Sequence, residues 1–413
     1  MSAVEAAPGG ALGEPGPEGG GQTSAARLAA YVQGGGVIVP LLTVGLAFLA
    51  GGLVILVTGH NPLSTYKAIF DGTGLNWLLP WTSSADRPAA ALNLQQTLIA
   101  TTPLILTGLA VAFAFRCGLF NIGGQGQYLV GAFAAVWVGS SFDSMPHVLH
   151  VILAMLAACA AGAAWGGIAG LLRAATGANE VISTIMLNWI AVWIGVFLFG
   201  LGGPLQSSTD TDKPVSNDIA EGAKLPVFWG DAELQGLHIG LFIALGMALV
   251  FWVILNRTRT GFEVRAVGFN PEAARSAGIS VGRNYVLVMG LCGLFAGLAG
   301  SLDILGWQFR LATNSIQISD VGFIGIAVAL LGRNTAVGTV FSALLFGALA
   351  TGTSVRNLDP EIFEPALAKN LTLIIQGLVV LFVSADILVI YLWQLRRKLR
   401  RKPAAADEAA VPA

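Results

Sequence analysis

The sequence predicts an all-α integral membrane protein with about ten transmembrane helices. Hydrophobic residues make up 55% of the 413 residues and charged residues only 11%, against about 25% charged residues in ordinary soluble domains. The mean hydropathy of +0.73 agrees with this composition. A soluble fold cannot bury so much apolar surface, and the charged residues are confined to short segments between long apolar runs.

Ten charge-poor apolar stretches are candidate spans, because about 20 apolar residues are needed to cross a bilayer. The third and eighth stretches are short or interrupted by polar residues, so we expect broken or re-entrant helices there. In chain order the candidates are Val37–Val57, Leu94–Phe115, Ile122–Val138, Leu149–Leu172, Val181–Leu201, Leu237–Leu255, Tyr285–Ile304, Ile316–Leu331, Ala336–Thr351 and Leu371–Trp393.

The two ends of the chain differ from the apolar middle. Residues 1–30 are rich in Gly, Pro and Glu and have no apolar core, which predicts a disordered tail. The transmembrane domain is expected over residues 31–395, with a polar loop at 256–283. A basic tail follows at 396–413.

The distribution of Lys and Arg predicts that both termini are cytoplasmic. With ten spans and the basic C-terminal tail inside, 15 of the 22 Lys and Arg residues lie on the cytoplasmic side. The long loops 58–93 and 202–236 then lie outside. Loop 202–236 is acidic, and it either docks a soluble partner or is simply solvated.

The polar loop Arg257–Arg283 contains a short helix with its own start and stop signals. Asn270 is a good N-cap, Pro271 suits the first helical position, and Gly278 suits the residue after the end. Because a two-turn helix is not stable alone in water, either a partner packs on it or it is a solvated connector. The candidate residues are Asn270, Pro271, Glu272, Ala273, Ala274, Arg275 and Gly278.

Two polar segments, FNIGGQGQ (120–127) and GANEVISTIMLN (177–188), lie at membrane depth. Glycines loosen the helix in the first, and unpaired backbone in a membrane needs a cavity or protein cover. Further along, Asp303 and Asp320 flank the outer junction of the seventh and eighth spans. The polar side chains either line a translocation path or gate, or tie helices together by hydrogen bonds. The candidates are Asn121, Gln125, Gln127, Asn179, Glu180, Thr184 and Asn188.

Sequence motifs for chemistry on a substrate are absent. The chain has no phosphate-binding G-x-x-x-x-G-K-[ST], no H-E-x-x-H and no G-x-S-x-G, and no Cys/His spacing fits a metal site. We therefore expect a transport protein and not an enzyme, with energy supplied by another subunit or by an ion gradient. An ion-coupled secondary transporter with broken helices is the rival hypothesis. Its proton relay would have only Asp386, Glu180 or Asp303 to use.

Four segments, in order, resemble the ABC importer permeases of the branched-chain amino acid, ribose and nucleoside group. The resemblance is greatest to the nucleoside (simple-sugar-type) permeases and covers about Ala90 to Val380. Within the third segment, Glu272-Ala273-Ala274-x-x-x-Gly278 resembles the EAA-type loop of these permeases. The segments are TGLAVAFAFRCGLFNIGGQGQYLVGA, GANEVISTIMLNWIA, TRTGFEVRAVGFNPEAARSAGIS and FIGIAVALLGRNTAVGT.

This resemblance implies an ATP-driven importer of nucleosides or related simple sugars in a bacterial-type plasma membrane. The chain would form two related five-helix halves and present a cytoplasmic coupling helix at Asn270–Gly278. Its partners would be a second permease, identical or different, two ABC ATPases that use ATP and Mg²⁺, and an extracytoplasmic solute-binding protein. The chain itself would bind no cofactor and no nucleic acid.

Overall fold

The computed structural model describes residues 38–142, 144–231, 236–354 and 365–384, and these residues are mainly α-helical. The predicted tails at 1–30 and 396–413 lie outside the described residues. So does the last part of the tenth candidate span, including Asp386.

The helices follow the predicted spans closely, with additional short elements between them. Single 3-10 turns lie at Leu75–Leu78 and Glu221–Ala223, and a π turn at Ile304–Gln308. Strand β1 (Val227–Trp229) pairs antiparallel with β2 (Leu237–His238). The helices are α1 (Ile38–Val57), α2 (Pro62–Gly72), α3 (Arg87–Arg116), α4 (Gly124–Gly139), α5 (His147–Thr176), α6 (Glu180–Phe199), α7 (Gly240–Arg257), α8 (Arg259–Phe269), α9 (Pro271–Ser276), α10 (Val281–Asp303), α11 (Thr313–Ile318), α12 (Val321–Leu331), α13 (Ala336–Gly352) and α14 (Pro365–Ser384).

Seven helical segments within the described residues are long and apolar enough to cross a membrane. They match seven of the ten candidates, and α4, α13 and α14 match the other three as shorter helices or shorter apolar stretches. The prediction of a mainly helical, multi-span membrane protein is therefore confirmed, whereas the count of ten and the two five-helix halves stay predictions. The seven are Pro40–Val57, Arg87–Arg116, His147–Thr176, Glu180–Phe199, Gly240–Arg257, Val281–Gln308 and Thr313–Leu331.

Helix α3 lies at the centre of the bundle. Every residue from Thr101 to Ala114 is buried, as expected for a helix that is apolar on all sides. Helices α7, α10, α12 and α13 pack around it. The hydroxyls of Thr101 and Thr107 donate to backbone carbonyls four residues earlier, at 2.7 and 3.0 Å. These polar groups therefore need no water inside the bundle.

The outer helices present wide apolar faces. On α6, Trp193 and Phe197 are 61% and 69% exposed, and Leu156 on α5 is 60% exposed. Monomeric soluble proteins do not expose apolar surface of this extent. A bilayer around the bundle covers it.

One end of the bundle, the basic end, collects arginines. The Arg116 guanidinium donates two hydrogen bonds to the Asn334 carbonyl, at 2.8 and 3.0 Å. The Arg173 guanidinium lies over the Tyr285 ring at 5.9 Å from its centroid. These contacts join the C-terminal ends of α3 and α5 to the start of α10 and the turn between α12 and α13.

The opposite end, the capped end, is covered by the long loop between α6 and α7. The loop's Ala220 N–H donates to the Gly139 carbonyl at the end of α4. Its Ser216 N–H donates to the Leu311 carbonyl beyond α10, both at 2.8 Å. Arg310 also pairs with Asp210 of the loop. Loop 202–236 is thus bound to the bundle along much of its length.

Helices α5 and α10 are in backbone contact through glycines. A Cβ atom on Gly162 would lie 2.2 Å from the Gly293 carbonyl oxygen, and one on Gly293 would lie 2.0 Å from the Gly162 carbonyl oxygen. Gly297 also approaches α5, at the Ala158 carbonyl. Close approach of small residues is the main source of helix association in lipid. Gly293 and Gly297 therefore serve the packing of α10 against α5.

The two weak candidate spans differ. In the eighth candidate, α11 ends at Ile318 and α12 begins at Val321, so the expectation of an interrupted helix is correct there. The third candidate is one continuous short helix, α4, and the break in helical backbone lies before it, at residues 118–123. A re-entrant course of α4 stays a prediction.

Replacement of Gly162 by Leu is expected to prevent assembly of the bundle, because the backbone of α10 leaves no space for any side chain. Overpacking costs about 1–3 kcal/mol where neighbouring side chains can move, and here the obstacle is backbone. Gly167→Leu on the same helix is the control, since nothing lies within 4 Å of a Cβ there. Size-exclusion profiles and melting curves in detergent measure the difference. Equal behaviour of the two variants would contradict the assigned contact.

Candidate functional site

Helices α4 and α12 begin against each other in the interior of the bundle. Helix α12 has 11 residues, so it is about 16 Å long, roughly half the thickness of a bilayer core. Because it ends at the basic end, its first turn lies near mid-depth. There the Gly322 N–H donates to Gln125 Oε1 on α4 at 2.8 Å. A Cβ on Gly322 would lie 2.2 Å from the Gln125 backbone nitrogen, so this approach requires glycine.

The non-helical backbone before α4 is held by Asn121 and Gln127. Asn121 Oδ1 accepts a hydrogen bond from the Gly123 N–H at 2.9 Å. Asn121 Nδ2 donates to Gln127 Oε1 at 3.0 Å. Both side chains are buried. They supply the hydrogen bonds that a continuous helix would have made within its own backbone.

Asn188 ties α6 to the same backbone. Its Oδ1 accepts from the Gly126 N–H at 2.8 Å, and its Nδ2 donates to the Ile122 carbonyl at 2.9 Å. One turn earlier, Thr184 Oγ1 donates to the Glu180 carbonyl at 2.7 Å. The structure thus brings together five of the predicted path residues, which we call the polar cluster. Its members are Asn121, Gln125, Gln127, Thr184 and Asn188.

The other two predicted path residues lie outside the polar cluster, at the basic end. Asn179 is exposed and caps α6, because its Oδ1 accepts from the Val181 N–H at 2.9 Å. Glu180 Oε2 lies 3.5 Å from Arg173 Nε. The role of all seven residues in a path or gate stays a prediction.

The polar cluster has unused hydrogen-bonding capacity. Within the described part of the chain, Gln125 Nε2, Trp165 Nε1 and Ser319 Oγ are buried polar atoms without a hydrogen-bond partner. Ser319 lies in the break before α12, and Trp165 Nε1 lies 3.1 Å from where a Gly126 Cβ would be. A buried unpaired polar group costs about 1–3 kcal/mol. Such atoms favour a site whose hydrogen bonds change during function over a purely structural tie.

Helix α9 has the predicted start and stop. Asn270 Oδ1 accepts from the N–H groups of Glu272 and Ala273 at 3.0 and 3.1 Å. Gly278 is left-handed, with φ +82°, and its N–H and that of Ile279 bond back to the Arg275 and Ala274 carbonyls. This is a Schellman ending. The predicted capped helix is confirmed, and its coupling role stays a prediction.

A groove separates α9 from α8, a helix that the sequence did not predict. Thr258 Oγ1 caps α8 by accepting from the Gly261 N–H at 3.1 Å. Because Thr is a good N-cap, this residue was the sequence signal for the start of α8. The groove has a volume of about 420 Å³. Phe262 and Phe269 line it and are 61% and 90% exposed. Such apolar side chains around a short helix form a surface that fits a protein partner.

Sequence reasoning missed a buried contact between α4 and α10. The Tyr128 hydroxyl donates to Asp303 Oδ2, and Trp307 Nε1 donates to Asp303 Oδ1 at 3.0 Å. Asp303 is buried and directly precedes the π turn. An acid in an apolar run was a signal, but its partner Tyr128 is 175 residues away in the chain.

His238 lies at the capped end and packs against this π turn. Burial lowers the pKa of its imidazole to about 4, so the ring is neutral at pH 7. Its Nδ1 accepts from the Gly240 N–H at 3.1 Å. A Cβ on Gly306 would lie 2.3 Å from the ring's Nε2, so the ring packs directly on the backbone of the π turn.

Comparison with known proteins gives one family. Residues 93–384 match the family described as branched-chain amino acid transport system / permease component. No solved structure matches the chain.

Three relatives align over most of their own lengths. The guanosine ABC transporter permease protein NupP of Bacillus subtilis (strain 168) is 40% identical over 371 residues, which is 89% of this chain and 98% of that protein. The nucleoside ABC transporter permease protein NupB of Lactococcus lactis subsp. cremoris (strain MG1363) is 33% identical, over 86% and 92% of the two chains. The glucose ABC transporter permease protein TsgB13 of Haloferax volcanii is 35% identical, over 83% and 86%.

Asn188→Ala is expected to destabilise the folded protein, because it leaves the Gly126 N–H and the Ile122 carbonyl without their partners. The free energy of unfolding should fall by about 2 kcal/mol or more. Ser183→Ala is the matched control, since it removes only an exposed bond within α6, with an effect within about 0.5 kcal/mol. Melting temperatures in one detergent compare them. Equal values would show that Asn188 does not hold the break before α4.

Proposed function

This chain belongs to the branched-chain amino acid transport system permease family, and we propose that it is the membrane-spanning subunit of an ATP-driven importer of nucleosides. The observation that carries the proposal is its similarity to nucleoside permeases over nearly their whole length. A glucose permease among the relatives keeps simple sugars as the alternative substrate class.

We propose that α9 is the coupling helix, which docks in a cleft of an ABC ATPase. Three features support the assignment: capping at both ends, exposure at the basic end and the exposed Phe262 and Phe269 beside it. Because the chain carries no phosphate loop, ATP and Mg²⁺ would be bound by the ATPase subunits. Closure of two ATPases around ATP would then move α9 and, through α8, the helices above it.

The orientation of the protein in the membrane follows from the assignment of α9 as the coupling helix. An ATPase is cytoplasmic, so the basic end would face the cytoplasm, in agreement with the positive-inside rule. The capped end would then face outward and receive solute from a binding protein. A second permease, identical or different, would complete the pathway, and ten passes would place both termini inside.

We propose that the polar cluster is the gate. Helices α4 and α12 begin at mid-depth, and the bond from Gly322 N–H to Gln125 Oε1 joins them. Discontinuous helices at this depth are typical of solute sites in transporters. The unpaired Gln125 Nε2 and Ser319 Oγ provide partners for an alternative arrangement. Weakening the cluster by Asn188→Ala should therefore also raise ATP hydrolysis in the absence of solute.

The proposal predicts uptake of labelled nucleosides into proteoliposomes only when the chain, its ATPase, its partner permease and its binding protein are all present with ATP. Ribose and glucose tested in parallel decide between nucleosides and simple sugars. One control omits ATP, and a second control omits the ATPase. Uptake by the chain alone, abolished by an ionophore, would instead establish the ion-coupled secondary transporter.

Gly278→Val is expected to reduce uptake about tenfold or more while leaving membrane insertion intact. The left-handed conformation costs a non-glycine residue about 1–2 kcal/mol and is worse for a β-branched one, so the end of α9 would be distorted. Gly278→Asn should keep most uptake, because Asn tolerates this conformation. Gly177→Val is the control for backbone strain. Gly177 has φ +70° and open space around its Cβ, so the strain is comparable, but it lies outside the coupling loop. Loss of uptake in Gly177→Val, or normal uptake in Gly278→Val, would contradict the coupling assignment.

A further inference from the structure

A second cleft, distinct from the α8–α9 groove, opens at the basic end. It lies between the first turns of α1, the last turns of α7 and the turn that joins α12 to α13. Its volume is about 760 Å³, within the range of small-molecule sites. We call it the arginine cleft.

The polar part of the arginine cleft is uniformly cationic. Arg116, Arg265 and Arg333 line it, and no Asp or Glu is among those lining residues that the structure describes. The Arg116 guanidinium is fixed in place by the Asn334 carbonyl. At the rim, the Arg257 guanidinium lies 5.4 Å from the centroid of the Trp252 ring, which also lines the cleft. The arrangement therefore favours an anionic ligand.

The apolar part of the cleft is formed by α1 and α13. Leu41, Val337 and Phe341 line it and are 66–68% exposed. They belong to the first turns of α1 and α13, beyond the helix ends that carry the arginines. Trp252 lies more than one turn inside Arg257 on α7, the position that Trp prefers at a membrane interface. The cleft is thus cationic at the membrane surface and apolar toward the bilayer centre.

The turn in the cleft has an unusual backbone. Arg333 and Asn334 are consecutive left-handed residues, both with φ 53°. This conformation costs Arg333 about 1–2 kcal/mol, and Asn334 tolerates it more readily. Asn334 Oδ1 is a buried polar atom without a hydrogen-bond partner in the described part of the chain.

We propose that the arginine cleft binds one anionic phospholipid. The phosphate would lie against the guanidinium groups. The acyl chains would run along Val337 and Phe341. An ATPase segment fits less well, because the apolar wall is formed by exposed side chains on the apolar helices α1 and α13. Basic pockets between helices at the cytoplasmic surface bind lipid headgroups of this charge.

Native mass spectrometry of the purified chain with phosphatidylglycerol or phosphatidylcholine of identical acyl chains tests the proposal. Phosphatidylglycerol should bind at least about tenfold more tightly than phosphatidylcholine. The Arg265→Gln/Arg333→Gln double variant should bind phosphatidylglycerol about 30-fold more weakly, the effect expected from two lost cations at the membrane surface. The matched control is Arg259→Gln/Arg283→Gln, because both arginines lie at the same end and neither lines the cleft.

Val337→Glu is the second variant. It places an anion in the first turn of α13, where negative charge is compatible with the helix dipole, so folding should be kept. Binding of phosphatidylglycerol should fall and binding of phosphatidylcholine should not. Equal affinity for the two lipids, or equal effects of the cleft and control double variants, would overturn the proposal. Unchanged lipid binding with lost ATPase association in the cleft variant would assign the cleft to a protein partner. Neither measurement requires transport, so failure here leaves the importer proposal standing.

Discussion

The break before α4 and the break before α12 depend on one constraint: backbone that is not helical inside a membrane bundle must still be hydrogen-bonded. Side-chain amides meet that constraint. Asn121 and Asn188 together bond the Gly123 and Gly126 N–H groups and the Ile122 carbonyl. Gln125 Oε1 accepts from one N–H group in the first turn of α12, that of Gly322. Without these amides the two breaks would expose unpaired backbone, and the helices would not start at mid-depth.

The breaks are tolerable because the surrounding scaffold is rigid. Helix α3 is buried on all sides, and α5 meets α10 through glycines at backbone contact distance. Contacts of this kind leave no side chains that can yield, so we expect α5 and α10 to move as one body. The polar cluster, in contrast, joins α4, α6 and α12 through a few side-chain hydrogen bonds and includes the unpaired Gln125 Nε2. A rigid scaffold around a few exchangeable hydrogen bonds is the arrangement that a two-state gate requires.

The two ends of the bundle differ in charge and in cover. At the capped end, the loop between α6 and α7 is hydrogen-bonded to α4 and to the segment after α10, and His238 packs neutral against the π turn. At the basic end, the short helix α9 and the arginine cleft remain open to partners. The cleft lies where α12 and α13 meet, so an occupant would contact the turn that follows the broken helix α12.

Local rules determined much of this protein from its sequence. The apolar runs predicted the helices, and Asn270, Pro271 and Gly278 predicted both ends of α9, because a cap depends only on residues within one turn. The glycines of 120–127 predicted a loosened helix. The tertiary structure alone decided which residues meet. Gln125 bonds Gly322 across 197 positions, and Tyr128 bonds Asp303 across 175. No periodicity in the chain encodes such pairs, because they depend on how whole helices pack.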